Sequence, residues 1–185
     1  EVFGGRVTLG NLTLQEPLGR FPQLQADIRL TDLDLALLTG VFEFGYISGR
    51  LSGEVKDLQL FDWRPVAFDA WLATPDDYRG LRRITPRAVQ NLSNLGGGSG
   101  VTSALSSGFL RFFKDFGYRR LGIACRLERD VCRMGGVAPA PGGYYLIQGA
   151  GFPRINLIGS QGRVGWSKLL RQLERLGDGA PLEVR

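Results

Sequence analysis

A period of two in the placement of apolar residues constrains this chain more than any other feature. Over residues 47–56, Ile47, Gly49, Leu51, Gly53 and Val55 fall on one side, and Ser48, Arg50, Ser52, Glu54 and Lys56 on the other. That is the pattern of an antiparallel strand with one buried face and one wet face. Ala26, Ile28 and Leu30 alternate in the same way with Asp27 and Arg29, residues 3–9 and 11–14 repeat the pattern, and residues 67–74 form a further strand between Pro65 and Pro75. Glycine supplies 27 of the 185 residues, roughly twice the usual share of about 7%, which suits turn-rich β structure. Glycines among the apolar positions either bend the sheet or leave room for something lying on it, and both readings imply concavity.

Other segments have the period of a helix. Residues 31–40 read as a short capped helix or turn, with Asp32 or Asp34 as its cap and Gly40 as its stop. Thr85 followed by Pro86 starts a helix over residues 85–95, and the glycine-rich residues 96–100 break it. A second helix is predicted over residues 101–116, where Val101, Leu105, Phe109, Phe112, Phe113 and Phe116 recur at spacings of three and four. Residues 118–127 and 131–137 read as a hairpin, 143–149 and 154–158 as two more strands, and 166–176 as a last amphipathic helix. The fold expected is one α+β, β-rich domain: a curved antiparallel sheet from residues 1–78 and 118–158, with about three helices at its C-terminal end.

The chemistry available is narrow. There is no histidine, which excludes a Ser-His-Asp triad, a Cys-His pair or a His-bound zinc within this chain. The glycine-rich residues 95–100 lack the Lys-Ser/Thr ending of a phosphate-binding loop and read as a linker. Asp76-Asp77 has no third ligand or base nearby in sequence. Neither a catalytic constellation nor a cofactor or metal site emerges, so a non-enzymatic protein is expected.

Charge is divided unevenly. Residues 1–78 carry 12 acids and 6 bases, a net of −6, whereas residues 79–185 carry 6 acids and 17 bases, a net of +11, which together give the overall +5. A positive half suits nucleic acid, anionic headgroups or an acidic protein. Arg79, Arg82, Arg83 and Arg87 lie within an acid-free run, read either as a solvated face or as a contact for anionic lipid or an acidic partner. No basic-aromatic stacking platform accompanies them, so nucleic acid is not an expected partner. The phenylalanine stripe reads as core.

Cys125 and Cys132 flank the hairpin turn. A turn centred on Glu128-Arg129 would set residues whose numbers sum to 257 opposite each other, and these two cysteines satisfy that sum. A cross-hairpin disulfide and an oxidising compartment follow; two reduced core cysteines are the alternative. Glu128-Arg129 departs from the Asn-Gly or Asp-Gly usual in a two-residue turn. No stretch approaches the ~20 consecutive apolar residues of a spanning helix, and no signal peptide opens the chain. Starting at Glu1 already in strand-like alternation, the chain reads as a soluble fragment of a longer protein.

Residues 28–40 (Ile-Arg-Leu-Thr-Asp-Leu-Asp-Leu-Ala-Leu-Leu-Thr-Gly) and 45–53 (Gly-Tyr-Ile-Ser-Gly-Arg-Leu-Ser-Gly) resemble the terminal repeats of the AsmA-like envelope proteins. So do residues 83–93, 108–113 and 154–159, and the whole is most similar to the C-terminal region of the YdbH type. The resemblance implies a long twisted sheet curled into a groove, anchored in the inner membrane of a Gram-negative envelope and reaching toward the outer membrane. Phospholipid acyl chains would slide along its apolar inside, with a small outer-membrane lipoprotein as partner. Each strand adds only ~4.8 Å to such a sheet, so this piece would be the periplasmic, outer-membrane-proximal end. On this reading Ala26, Ile28, Leu30, Ile47, Leu51, Val55, Val66 and Phe68 face the groove, and Arg79 to Arg87 face headgroups or a partner. An assembly module that accepts a partner strand by β-augmentation is the alternative function.

Overall fold

The computed structural model describes residues 1–96 and 113–177. Four strands open the chain as an antiparallel meander: β1 (Arg6–Gln15), β2 (Gln23–Asp34), β3 (Arg50–Phe61) and β4 (Arg64–Ala73). Helix α1 (Leu35–Val41) joins β2 to β3. After the two-residue strand β5 (Arg83–Ile84) and helix α2 (Pro86–Gly96), the chain returns as β6 (Phe116–Glu128), which pairs with β4. Strand β7 (Val131–Gly136) follows β6 as a hairpin, and β11 (Arg163–Gly165) adds to the far side of β7, so the main order is β1-β2-β3-β4-β6-β7-β11. The architecture is the expected one, β-rich α+β with a curved, unclosed antiparallel sheet.

Strand β6 belongs to two layers, and this creates the core. Its C-terminal half pairs with β4 and β7, while its N-terminal half pairs with β5 and with β9 (Gly143–Ala150). Strand β9 in turn holds β8 (Ala138–Ala140) and β10 (Leu157–Gly159). The second layer turns over one end of the meander. Between the layers lie Ile84, Phe116, Leu146, Ile147 and Leu157, each at most 2% exposed, with Ala88 and Val89 of α2 at 0%.

Each helix start has a chemical cause. Asp34 caps α1, its Oδ1 accepting from the backbone N–H of Ala36 (2.8 Å) and of Leu37 (3.3 Å). Of the two candidate caps Asp34 is therefore the one used, and Gly40 lies inside the helix, which Phe42 terminates. Pro86 occupies the first position of α2, as expected, where its missing N–H removes nothing from the helix ladder. Helix α3 (Trp166–Gly177) is capped from a distance: Asp130, at the tip of the β6–β7 hairpin, accepts from the Ser167 N–H (3.1 Å) and hydroxyl (2.7 Å).

Three expectations need correction. Of the helix predicted over residues 101–116, residues 101–112 lie outside the described residues, and Phe116 is not helical but the first residue of β6, 2% exposed against the core. Half-buried Phe113 packs on it with ring centroids 6.2 Å apart, while Phe109 and Phe112 lie outside the described residues. The segment 79–117, read as helical, also contains the β5 pairing. The strand read at 154–158 is shorter and later, Leu157–Gly159.

Candidate functional site

The meander has a continuous apolar face. Register places Val7 beside Leu30, Leu9 beside Ile28, and Leu14 beside Leu24; Ile28 in turn lies beside Val55, and Val55 beside Ala70. Phe68 lies beside Leu127, Leu127 beside Cys132, and Cys132 beside Val164, so the face continues across β6, β7 and β11. Direct cross-strand partners share a face. The opposite face is wet and paired: Arg29–Glu54 (2.9 Å), Lys56–Glu54 (2.8 Å) and Arg126–Asp69. Those contacts hold the Glu54 carboxyl below its ordinary range, Lys56 foremost, and raise Lys56 and Arg126.

Three residues with positive φ keep the leucines on one side. Asn11 (φ +48), Asp32 (φ +52) and Asp57 (φ +51) sit at register shifts where one strand carries an extra residue. Simple alternation would turn Leu12 and Leu14, Leu33, and Leu58 and Leu60 to the wet side; each bulge resets the period. Asn and Asp tolerate this backbone better than other non-glycine residues. Gly53 has another role, since a Cβ there would stand 2.0 Å from the Trp71 carbonyl oxygen. It admits the close approach of the β4 backbone.

The face is open at one end and roofed at the other. Leu9 and Leu12 are 57% exposed and Leu14 46%. Toward the other end, α1 and α2 enclose a cavity of about 420 Å³ lined by Leu38, Phe42, Phe44, Leu92, Leu121 and Leu146, among others, with Leu51, Leu72 and Ile123 as part of its wall. Its polar side chain is Thr39, which is internally satisfied: the hydroxyl donates to the Leu35 carbonyl (2.7 Å) and accepts from the Ile47 N–H (3.3 Å). Among the described residues no ionisable side chain lines this cavity. Its described lining is apolar apart from Thr39. Helix α3 packs beside β11 and α2, and its first residue, Trp166, meets Phe68 of β4 edge-on with centroids 5.1 Å apart.

Of the eight predicted groove residues, Ala26, Ile28, Leu30, Leu51, Val55 and Phe68 lie on this face, whereas Val66 falls at a register shift between Pro65 and Ala67 and is 43% exposed. Ile47 does not continue the strand. It sits before β3 in an isolated bridge to Ile84, buried at 3%, and lines the cavity instead. The sequence reading missed Leu9, Leu12, Leu14, Leu24, Leu58 and Leu60 as groove residues, although Leu12/Leu14 and Leu58/Leu60 each show the two-residue period.

Cys125 and Cys132 form the predicted disulfide, with Cα atoms 5.5 Å apart. The turn lies one residue later than predicted, which moves each cross-strand partner by two: Cys125 pairs with Met134 and Leu127 with Cys132. The turn residues are Arg129 and Asp130, with φ of +49° and +60°, the two positive values a tight hairpin turn requires. The cysteines are diagonal neighbours on one face.

The basic run divides. Arg82 is structural, its guanidinium donating to the carbonyls of Pro75 (2.9 Å), Tyr78 (2.6 Å) and Arg119. Arg83 pairs with Asp115 at 2.6 Å. Arg79 and Arg87 are exposed. Among the described residues no group of His, Cys, Asp or Glu is arranged to hold a metal, and no helix is long and apolar enough to cross a membrane. Comparison with family models, with curated proteins and with solved structures finds no match.

Proposed function

We propose that this chain is a non-enzymatic segment of a lipid-transfer bridge of the AsmA-like, YdbH type, carrying phospholipid through the periplasm of a Gram-negative envelope near the outer membrane. The observation that carries the reading is the apolar face running from exposed leucines on β1 into a cavity of about 420 Å³ with no ionisable lining among the described residues. That volume is in the range of small-molecule sites, about 300–1,000 Å³. Each methylene moved from water onto such a surface contributes about 0.8 kcal/mol, while the charged side of the sheet keeps the exterior wet. Acyl chains would be held by contact alone, and directional drive would come from elsewhere. The disulfide supports an oxidising compartment. Native mass spectrometry of the purified protein tests the reading: co-purified phospholipid is expected, and protein free of lipid after gentle extraction argues against it.

One observation favours the assembly module as a second reading. Strand β1 is ten residues long and pairs only with β2, leaving its other edge without a partner among the described residues. Such an edge accepts a further strand, and a small outer-membrane lipoprotein is the partner proposed. The two readings coexist, because a groove has to join something at its ends.

A further inference from the structure

Beyond the ladder of β4 and β6, which ends at Ala73 and Gly122, residues 75–82 fold over Arg82. Its guanidinium is surrounded by three carbonyl oxygens and the Tyr78 ring, 5.7 Å from Cζ. It pairs with no carboxylate among the described residues, and its Nε is buried without a hydrogen-bond partner. Arg82 forms the floor of a depression of about 390 Å³ whose other lining residues are Asp76, Tyr78, Arg79, Arg119 and Arg120. Four guanidinium groups face one carboxylate there, and that carboxylate, Asp76, already pairs with Arg120 at 3.2 Å.

The excess is local. Arg79 also borders a second depression with Asp32, Arg50 and Asp77, where two acids balance two arginines. On the other side, Arg119 reaches a third depression, of about 230 Å³, that adds Arg154 and no acid. Neither Arg79 nor Arg119 has a carboxylate partner among the described residues. Gathering like charges costs free energy unless a counter-charge is present, and planar guanidinium groups match the oxygens of a phosphate.

We propose that the depression around Arg79, Arg82, Arg119 and Arg120 is a binding site for a phosphate group, carried either by a phospholipid headgroup or by a soluble phosphorylated compound. The site is separate from the apolar cavity, so its occupancy does not depend on the lipid-bridge reading.

The test uses the full chain at low ionic strength, where such contacts are least screened. Inorganic phosphate is titrated calorimetrically, and co-sedimentation is measured with phosphatidylcholine vesicles with and without phosphatidylglycerol. The double variant Arg79→Gln/Arg119→Gln removes two exposed guanidinium groups and spares the Arg82 brace; Arg129→Gln/Arg163→Gln removes the same charge elsewhere. We expect the first variant to weaken binding about tenfold or more, the size of one lost charged hydrogen bond, and the control to change it little. Saturable binding of free phosphate identifies a soluble ligand class, and binding only to phosphatidylglycerol vesicles identifies a headgroup; either supports the site. No binding in either arm, or equal loss in both variants, overturns it.

Discussion

Asp27 anchors Asp57: its Oδ1 accepts the Asp57 backbone N–H at 2.9 Å, and its other oxygen accepts from the Asn11 side-chain amide. One carboxylate on the wet face of β2 thereby ties together the bulges of the strands on either side. Those bulges keep Leu12, Leu14, Leu58 and Leu60 on the apolar face. We predict that Asp27→Ala lowers the melting temperature and speeds hydrogen exchange around Asn11 and Asp57, leaving the β6–β7 hairpin unchanged. Uniform protection in the variant would sink the idea. The Asp57 N–H, and after it the Asn11 amide, hold the Asp27 carboxyl below its ordinary 3.8. Its stabilisation is therefore complete above that value and lost as pH falls through the lower folded value. The acid limb of unfolding should be shallower in Asp27→Ala than in the parent.

Trp166 reports on the groove. It packs on Phe68 beside the apolar face, whereas Trp63 and Trp71 are exposed, at 56% and 51%. In a Trp63→Phe/Trp71→Phe background, phospholipid with brominated acyl chains should quench the remaining fluorescence, and lipid brominated only in the headgroup should not. Quenching by neither would count against acyl chains lying in the groove.

The position of a new charge separates folding from binding. Leu51 is 7% exposed on the cavity wall, so Leu51→Asp buries an unpaired charge and should cost about 3 kcal/mol or more. Leu12 is 57% exposed on the open part of the same face. Leu12→Glu should alter stability by less than about 0.5 kcal/mol and still reduce co-purified lipid several-fold. Unchanged lipid content with intact folding would show that the open leucines do not carry acyl chains.

The Cys125–Cys132 bridge closes a short loop, with a sequence separation of 7. The chain-entropy relation gives about 2 kcal/mol for a loop of this size. Reduction, or Cys125→Ser/Cys132→Ser, should lower the melting temperature by several degrees without unfolding the domain. Thiol titration of oxidised protein should find no free thiol.

Tyr118 is expected to shape the alkaline limb of unfolding. Burial pushes its phenol up to about 12, and its hydroxyl donates to the Ser48 carbonyl at 2.7 Å. Because the folded value exceeds the ordinary 10.0, the folded state holds this proton more tightly, and that stabilisation is lost as pH rises from about 10 through the folded value of about 12. Tyr118→Phe should cost about 1 kcal/mol at neutral pH and make stability fall less steeply between pH 10 and 12. Phenolate absorbance that titrates entirely near pH 10 would contradict the burial argument.

Much of this protein was legible one strand at a time. Alternation placed Ala26, Ile28 and Leu30 together on one face, and Leu51 and Val55 together on one face; Thr85-Pro86 marked the start of α2; and the pattern after Trp166 marked α3. Each of these depends on neighbours within a few residues, which the sequence carries directly. Tertiary structure alone decided what required distant partners. The bulges at Asn11, Asp32 and Asp57 are held from neighbouring strands, by Asp27 and by the Ser52 hydroxyl, which accepts from the Asp32 N–H at 2.9 Å. The hairpin register follows Arg129 and Asp130 in a positive-φ turn whose Asp130 side chain also caps α3. Phe116 carries a helical spacing yet enters a strand, because β5 and β9 supply backbone partners on both sides of β6. The run from Arg79 to Arg87 is uniform in sequence, but only the folding of residues 75–82 over β6 separates a braced arginine from exposed ones and brings Arg119 and Arg120 beside them.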